Sequence, residues 1–227
     1  MEYSEKTAIL LFTQSAQVQS MDKKLIRDSK QNLHLLENFT KKAIAVCNTA
    51  PFDVVVISEE KQVGERFSDR FTHALATVFD QGYGRVLAVG NDCPDLARKD
   101  LLEANKLLSS NQLVFGPDLR GGVYLLGIEK SAFRRGDLKR LPWQQADLLS
   151  KLIQYAKDRS FSAAFLETKA DFNNSSDLSD HWFSSPGIRS LINAQINTIT
   201  TFPEVDALYD HEVVGFFSYR GPPAIAA

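Results

Sequence analysis

The sequence predicts a three-layer α/β/α domain built on a mainly parallel, mixed sheet. Two observations carry that expectation. Thr7–Phe12 and Asp53–Ile57 are short apolar runs without polar alternation, as strands covered on both faces require. Between such runs lie longer stretches whose apolar residues recur at three- or four-residue steps, the spacing of a helix with one buried stripe. The two patterns alternate along most of the chain, which calls for parallel strands joined by right-handed helical crossovers.

Taken in order, Thr7–Phe12 is the first strand and Thr13–Ser20 a polar loop. Met21–Val46 then reads as one helix, with Leu25, Leu33, Leu36, Phe39, Ala43 and Val46 on its apolar face and Asp22 in its first turn. Asp53–Ile57 is the second strand, β-branched in its centre. Phe67, Phe71, Leu75 and Val78 mark a second helix that Gly82 and Gly84 end. Arg85–Val89 is the third strand, and Leu101, Ala104, Leu107 and Leu108 mark a helix starting near Arg98. Leu113–Phe115 and Val123–Ile128 are two more strands around a glycine-containing loop. Asp147–Lys157 is a helix and Phe161–Glu167 the last strand.

Residues 1–180 are thus expected to form the α/β domain, and 181–227 an irregular C-terminal appendage packed on it. His181–Thr198 has room for one or two short helices. The tail from Gly215 to Ala227 is rich in Phe, Tyr, Gly and Pro. Its Phe216, Phe217 and Tyr219 are expected to pack on their own domain or on a dimer mate, so a homodimer is one expected partner state.

A formal net charge of −2 offers no nucleic-acid footprint, and no basic run offers a membrane patch. Ala8–Phe12 is too short for a signal core or a membrane span. The two cysteines, Cys47 and Cys93, make neither a disulfide framework nor a metal cluster, and free thiols point to the cytoplasm. No closely spaced histidine pair and no nucleophile elbow are present.

Chemistry concentrates at the strand-to-loop junction Val86–Leu96, where a hydrophobic strand runs into Gly90-Asn91-Asp92-Cys93-Pro94-Asp95. Gly90 permits an unusual backbone angle or close ligand approach. A carboxylate at the end of a central strand is placed to hold Mg²⁺ or Mn²⁺ against a diphosphate. The competing reading is an aspartate capping the next helix, a role that suits Asp95 better than Asp92. A second candidate is Val114–Ile128, whose Gly121-Gly122 would let backbone amides approach a substrate beside Arg120; a plain hairpin turn is the alternative. A third is Asp171-Phe172-Asn173 with Asp177, equally compatible with turn and capping chemistry.

In this order, these segments resemble a bacterial family of glycosyltransferase-A-like proteins, described as nucleotide-diphospho-sugar transferase-like and related in fold to nucleotidyltransferases such as molybdenum-cofactor guanylyltransferase. The resemblance runs from Thr7 to Leu178. Besides the Gly90 and Gly116-Pro117 segments it rests on Gln62-x-Gly64-x-x-Phe67-x-x-Arg70-Phe71, Leu141-Pro142-Trp143-Gln144 and Asp171-Phe172-Asn173. It implies a nucleotide or nucleotide-sugar pocket, with Asp92 as catalytic and metal-associated residue and Asn173 as second ligand to Mg²⁺ or Mn²⁺. Lys23, Lys24, Gln62, Arg120, Gly121 and Gly122 are the implied substrate-binding residues. The chain departs from the family in three places. The family's Pro-Gly-x-x-Lys-Thr-Arg-Leu loop is replaced by Thr13–Leu25, its Asp-Gly-Gly-Tyr by Arg120-Gly121-Gly122-Val123, and an expected aspartate by Asn173. Two functions follow from the resemblance: a metal-dependent glycosyl- or nucleotidyltransferase, or a non-catalytic binding or scaffold protein that keeps the fold.

Overall fold

The computed structural model describes residues 5–181 and 183–200. Its centre is a six-stranded sheet of β1 (Thr7–Phe12), β2 (Asp53–Ile57), β3 (Arg85–Val89), β4 (Leu113–Pro117), β5 (Val123–Glu129) and β6 (Ala163–Phe165), ordered β2-β1-β3-β5-β4-β6. β1 is parallel to β2 and β3, and β4 is parallel to β6. β5 alone runs antiparallel to both its neighbours. The sheet is therefore mixed, as the sequence predicts. The β4–β5 pair is a hairpin, because the connection between them is too short for a crossover.

Eight helices are described: α1 (Ala16–Asp22), α2 (Ser29–Thr49), α3 (Phe67–Asp80), α4 (Arg98–Leu107), α5 (Arg135–Leu138), α6 (Leu148–Asp158), α7 (Ser175–His181) and α8 (Pro186–Thr200). Successive strand residues serve opposite faces of the sheet. Ala8, Leu10 and Phe12 pack with α3 and α6 residues such as Leu75, Val78 and Leu152, whereas Ile9 and Leu11 pack with Ala43, Leu101 and Ala104 of α2 and α4. All six residues of β1 are buried, which is why its sequence shows no polar alternation. A third apolar cluster joins Leu35, Leu36 and Phe39 of α2 to Phe172, Ile188 and Ile192, and so holds α8 against the domain.

Several sequence expectations change. The polar stretch before Met21 is not a loop: Ala16–Asp22 is helical, with Ser15 as its N-cap. The single helix expected over Met21–Val46 is interrupted at residues 23–28 and restarts at Ser29, where the Asp28 carboxylate accepts the N–H of Gln31 at 2.8 Å. Asp22 therefore ends α1 and does not begin a helix. Asp95 does not cap α4 either. Ala97 is the N-cap there, its N–H taken by Asp100 at 2.8 Å, while Asp95 accepts the N–H of Gly187 at 2.7 Å at the start of α8. The last strand is also shorter than expected, three residues at the sheet edge. The aromatic tail from Gly215 to Ala227 lies outside the described residues.

Candidate active site

The carboxyl ends of β1, β3 and β4 open onto one cleft of about 480 Å³. Its lining divides by chemistry. Asp92, Asp118, Asp171 and Asn173 make an acidic end; Phe12, Phe67, Phe71 and Trp143 make an aromatic end. Arg120 and Gly122 also line it, whereas Lys23, Lys24, Gln62 and Gly121 do not.

Asp92 is delivered by the loop after β3. The neighbouring Asn91 amide donates to Thr40 Oγ1 of α2 at 2.8 Å, which ties this loop to the helix layer. The Asp92 carbonyl accepts the N–H of Phe172 at 2.9 Å, so main chain joins the β3 loop to the segment after β6. That bond brings Asp171 beside Asp92. Burial, then the charge of Asp92, pushes the Asp171 carboxyl up to about 7, against the pull of the Lys23 ammonium and the Asn173 amide. Asp171 and Asp118 lie in segments that the sequence marks as candidates, without a site role of their own there. Asp171 heads the same D-x-N triplet as Asn173 and was legible there as a second acid.

Lys23 reaches the site from the end of α1 and forms an ion pair with Asp92 Oδ1. Its side chain is only 10% exposed, with Nζ 5.9 Å from the centroid of the Phe39 ring. Lys24, next to it, is exposed. Gln62 donates its amide to the Thr13 carbonyl at 2.8 Å and Glu59 accepts the Ser15 N–H at 2.8 Å, so residues 59–62 fasten the loop that follows β1. Gly90 does not adopt a left-handed φ, and a Cβ there would meet only the Asp92 N, at 4.0 Å.

The β4–β5 turn is organised by Asp118, whose Oδ1 accepts the N–H groups of Arg120 at 2.7 Å and Gly122 at 2.8 Å. Gly121 has φ +87°. Arg120 has a counter-ion. Its Nη1 donates to both carboxylate oxygens of buried Asp177, at 2.9 and 3.0 Å. Asp177 Oδ2 also accepts the N–H groups of Asn173 at 2.7 Å and Asn174 at 3.0 Å. The Arg120–Asp177 pair thus clamps the hairpin to the loop bearing Asn173. Asp177→Ala removes three donors' acceptor at once. It is expected to destabilise the protein by about 1.5–3 kcal/mol, with hydrogen-exchange protection falling first in residues 171–177.

At the aromatic end, Phe67 and Phe71 stack with centroids 5.7 Å apart, and Phe71 lies 4.7 Å from Trp143. Trp143 Nε1 donates to the Leu138 carbonyl at 2.7 Å, so the indole offers the cleft its ring and not its N–H. Gln144 follows with φ +64°, an unusual backbone for a non-glycine residue. Neither cysteine is poised as a nucleophile. Burial pushes the Cys93 thiol far up and the Cys47 thiol up to about 11.

Among the described residues, no three His, Cys, Asp or Glu side chains are grouped to hold a metal by themselves. The oxygen donors at the acidic end are the carboxylates of Asp92 and Asp171 and the Asn173 amide, with Asp118 beside them accepting two turn N–H groups on Oδ1. They suit Mg²⁺ or Mn²⁺, because small hard cations take one or two carboxylates and complete their shell with water and substrate phosphate. Burial first, and the Asp92 charge second, hold the Asp171 carboxyl up despite the nearby Lys23 ammonium.

Residues 14–145 match a family described as an uncharacterised protein conserved in bacteria, DUF2064, over more than half of the chain. The chain belongs to the DUF2064 family. The DUF2064 match covers Lys23, Asp92, Asp118, Phe67, Phe71 and Trp143, and stops before Asp171. No protein of curated function matches the sequence. Among solved structures, this DUF2064 chain is similar to a protein from Desulfovibrio desulfuricans G20 provisionally assigned as a nucleotide-diphospho-sugar transferase. The TM-score is 0.74 at 20% identity, covering 87% of this chain and 98% of that one. It is also similar to a homologue of Mycobacterium tuberculosis Rv0371c from Mycobacterium sp. strain JC1, with TM-score 0.50 at 12% identity and coverage of 85% and 100%. A manganese complex of Rv0371c from Mycobacterium tuberculosis H37Rv aligns at TM-score 0.43 and 16% identity, over 78% and 97% of the two chains. At these identities the first two establish the fold, which is nucleotide-diphospho-sugar-transferase-like. No helix among the described residues is long and apolar enough to cross a membrane.

Proposed function

We propose that the cleft is a transferase active site for a substrate built on a diphosphate, either a nucleotide sugar or a nucleoside triphosphate. Mg²⁺ or Mn²⁺ would be held by Asp92 and Asn173, together with Asp171. The observation that carries this reading is the meeting of Asp92 from the end of β3 with Asp171 from beyond β6, two carboxylates set side by side where parallel strands end. A cation bound there would offset the negative charge that develops on the departing phosphate.

The chain's own residues do the remaining work. Arg120 engages Asp177 through Nη1 alone, which leaves other guanidinium N–H groups for phosphate oxygens. Phe71 and Trp143 offer a flat apolar wall on which a sugar or base ring can lie, and they exclude water from that end. Gly122 keeps the hairpin backbone close, since a Cβ there would meet Asp118 Oδ2 at 2.4 Å. Gln62 and Gly121 act from outside the lining, Gln62 by holding Thr13 and Gly121 by letting the hairpin meet the segment before α6. Catalysis on this arrangement is positioning plus electrostatic stabilisation.

Calorimetric titration with nucleotide sugars and nucleoside triphosphates, with and without Mn²⁺, tests the proposal. Asp92→Ala is expected to weaken metal-dependent binding at least about tenfold and to cut turnover by roughly 10²–10³. If the native protein binds none of these ligands, or Asp92→Ala binds them equally well, the transferase reading fails. The fold would then serve a non-catalytic binding or scaffold role.

A further inference from the structure

The Lys23–Asp92 pair has a consequence for how the site is loaded. A lysine ammonium is rarely buried without a counter-charge, and here the counter-charge is the carboxylate assigned above to the metal. The backbone beneath it is fixed on both sides. The Lys23 N–H donates to the Gln19 carbonyl at 2.8 Å, and the Lys23 carbonyl accepts the Asn32 amide at 2.9 Å. Asn32 is itself buried, and its Oδ1 accepts the N–H groups of Leu25 at 2.8 Å and Ile26 at 3.1 Å. The backbone of the 23–26 segment is therefore pinned to α2. The Lys23 Nζ lies 5.9 Å from the centroid of Phe39, a member of the apolar cluster that also holds Phe172, the residue after Asp171.

We propose that Lys23 is a resident counter-ion that competes with the divalent cation for Asp92, so that metal alone binds weakly and metal with diphosphate binds together. This inference rests on the reading that Asp92 and Asp171 hold the cation. An ammonium on Oδ1 both occupies an oxygen the metal would use and repels its charge. A diphosphate relieves the conflict. It brings negative charge enough for both cations, so the ammonium can turn from Asp92 to a phosphate oxygen while the metal takes the carboxylate. The two ligands are then positively coupled, and by linkage each tightens the other by the same factor. Lys23 is on this account a positioning residue that sets the order of loading, and not a group that takes part in bond making.

Mn²⁺ affinity measured by calorimetry on the full chain tests this, with Lys23→Met, Lys23→Gln, Lys23→Arg and Asp92→Asn compared with wild type. Lys23→Met and Lys23→Gln are expected to bind Mn²⁺ alone roughly 5–150-fold more tightly than wild type, the usual range of such couplings. Lys23→Arg, which keeps the charge, is expected to behave as wild type, and Asp92→Asn to lose the site. Adding pyrophosphate is expected to tighten Mn²⁺ binding more in wild type than in Lys23→Met. Equal Mn²⁺ affinity in wild type, Lys23→Met and Lys23→Gln, with loss in Asp92→Asn, overturns the role of Lys23 and leaves the metal site standing. No Mn²⁺ binding in any folded variant overturns both. Should the neutral variants not fold, the Lys23 ¹⁵Nζ resonance of wild type decides. It is expected to shift when Mg²⁺ and pyrophosphate are added together, and Mg²⁺–pyrophosphate binding without such a shift overturns the proposal.

Discussion

Lys169→Met is expected to lower the stability of the folded protein by about 3–5 kcal/mol. Lys169 lies in the segment after β6, and its Nζ donates to Asp100 Oδ2 at 2.5 Å and to the Asp95 carbonyl at 2.9 Å. Both side chains of the ion pair are nearly sealed, 8% and 4% exposed. Asp100 is also the acceptor that starts α4, and Lys169 Nζ sits 5.8 Å from the Tyr124 ring centroid. Removing the lysine strands a carboxylate in a low-dielectric pocket, whereas removing both charges does not. Lys169→Met combined with Asp100→Asn is therefore expected to recover most of the loss. Urea unfolding with unchanged m-values would report it. A single-variant cost below about 1 kcal/mol, the level of an exposed pair, would show that the pair contributes no more than a surface contact.

Gly121→Ala is the second substitution with a large expected effect. At φ +87° any side chain is strained, and a Cβ would stand 1.9 Å from the Ala146 carbonyl oxygen. The turn cannot retreat easily. Asp118 holds its Arg120 and Gly122 amides, and the Gly121 carbonyl accepts the Leu149 N–H at 2.8 Å at the start of α6. A destabilisation of about 3 kcal/mol or more is expected, combining backbone strain with steric overlap. Gly136→Ala is the control. Its Cβ meets nothing closer than Arg140 Nη1 at 4.0 Å, and it lies in helix α5. It is expected to be neutral or to stabilise by up to about 1 kcal/mol. Thermal melts of the two variants side by side would check both, and equal melting temperatures would refute the role assigned to the turn.

Thr7–Phe12 and Arg85–Val89 were legible because burial on both faces leaves an apolar run, and Asp53–Ile57, a part-buried edge strand, because of its β-branched centre; all three have the bounds that their runs predict. α1 was not legible. Its seven residues bury only Ala16 and Gln19, too little for a stripe, and the apolar positions of α2 run on smoothly from Leu25. Asp28 before Ser29 was the available sign of a fresh start. At the site, Asp92 and Asn173 could be named because each stands in a distinctive short segment. The pairs that give those segments meaning join residues far apart in sequence: Lys23 with Asp92, Asp100 with Lys169, Arg120 with Asp177. No periodicity links such partners. The same limit hid the true partner of Asp95, the start of α8 some ninety residues downstream.

The main-chain bond from Phe172 to Asp92, and the bridge pairing Asp118 with Lys169, bear on how this architecture can diverge. Both tie the chain just after β6 directly to the loop ends of β3 and β4. The intervening stretch, from the hairpin through α5 and α6, does not set the spacing of the two acids. Insertions or deletions in the connections around α5 can therefore accumulate without moving Asp171 relative to Asp92. The segment around α5 is free to drift in length while the loop ends of β3, β4 and β6 keep their gauge.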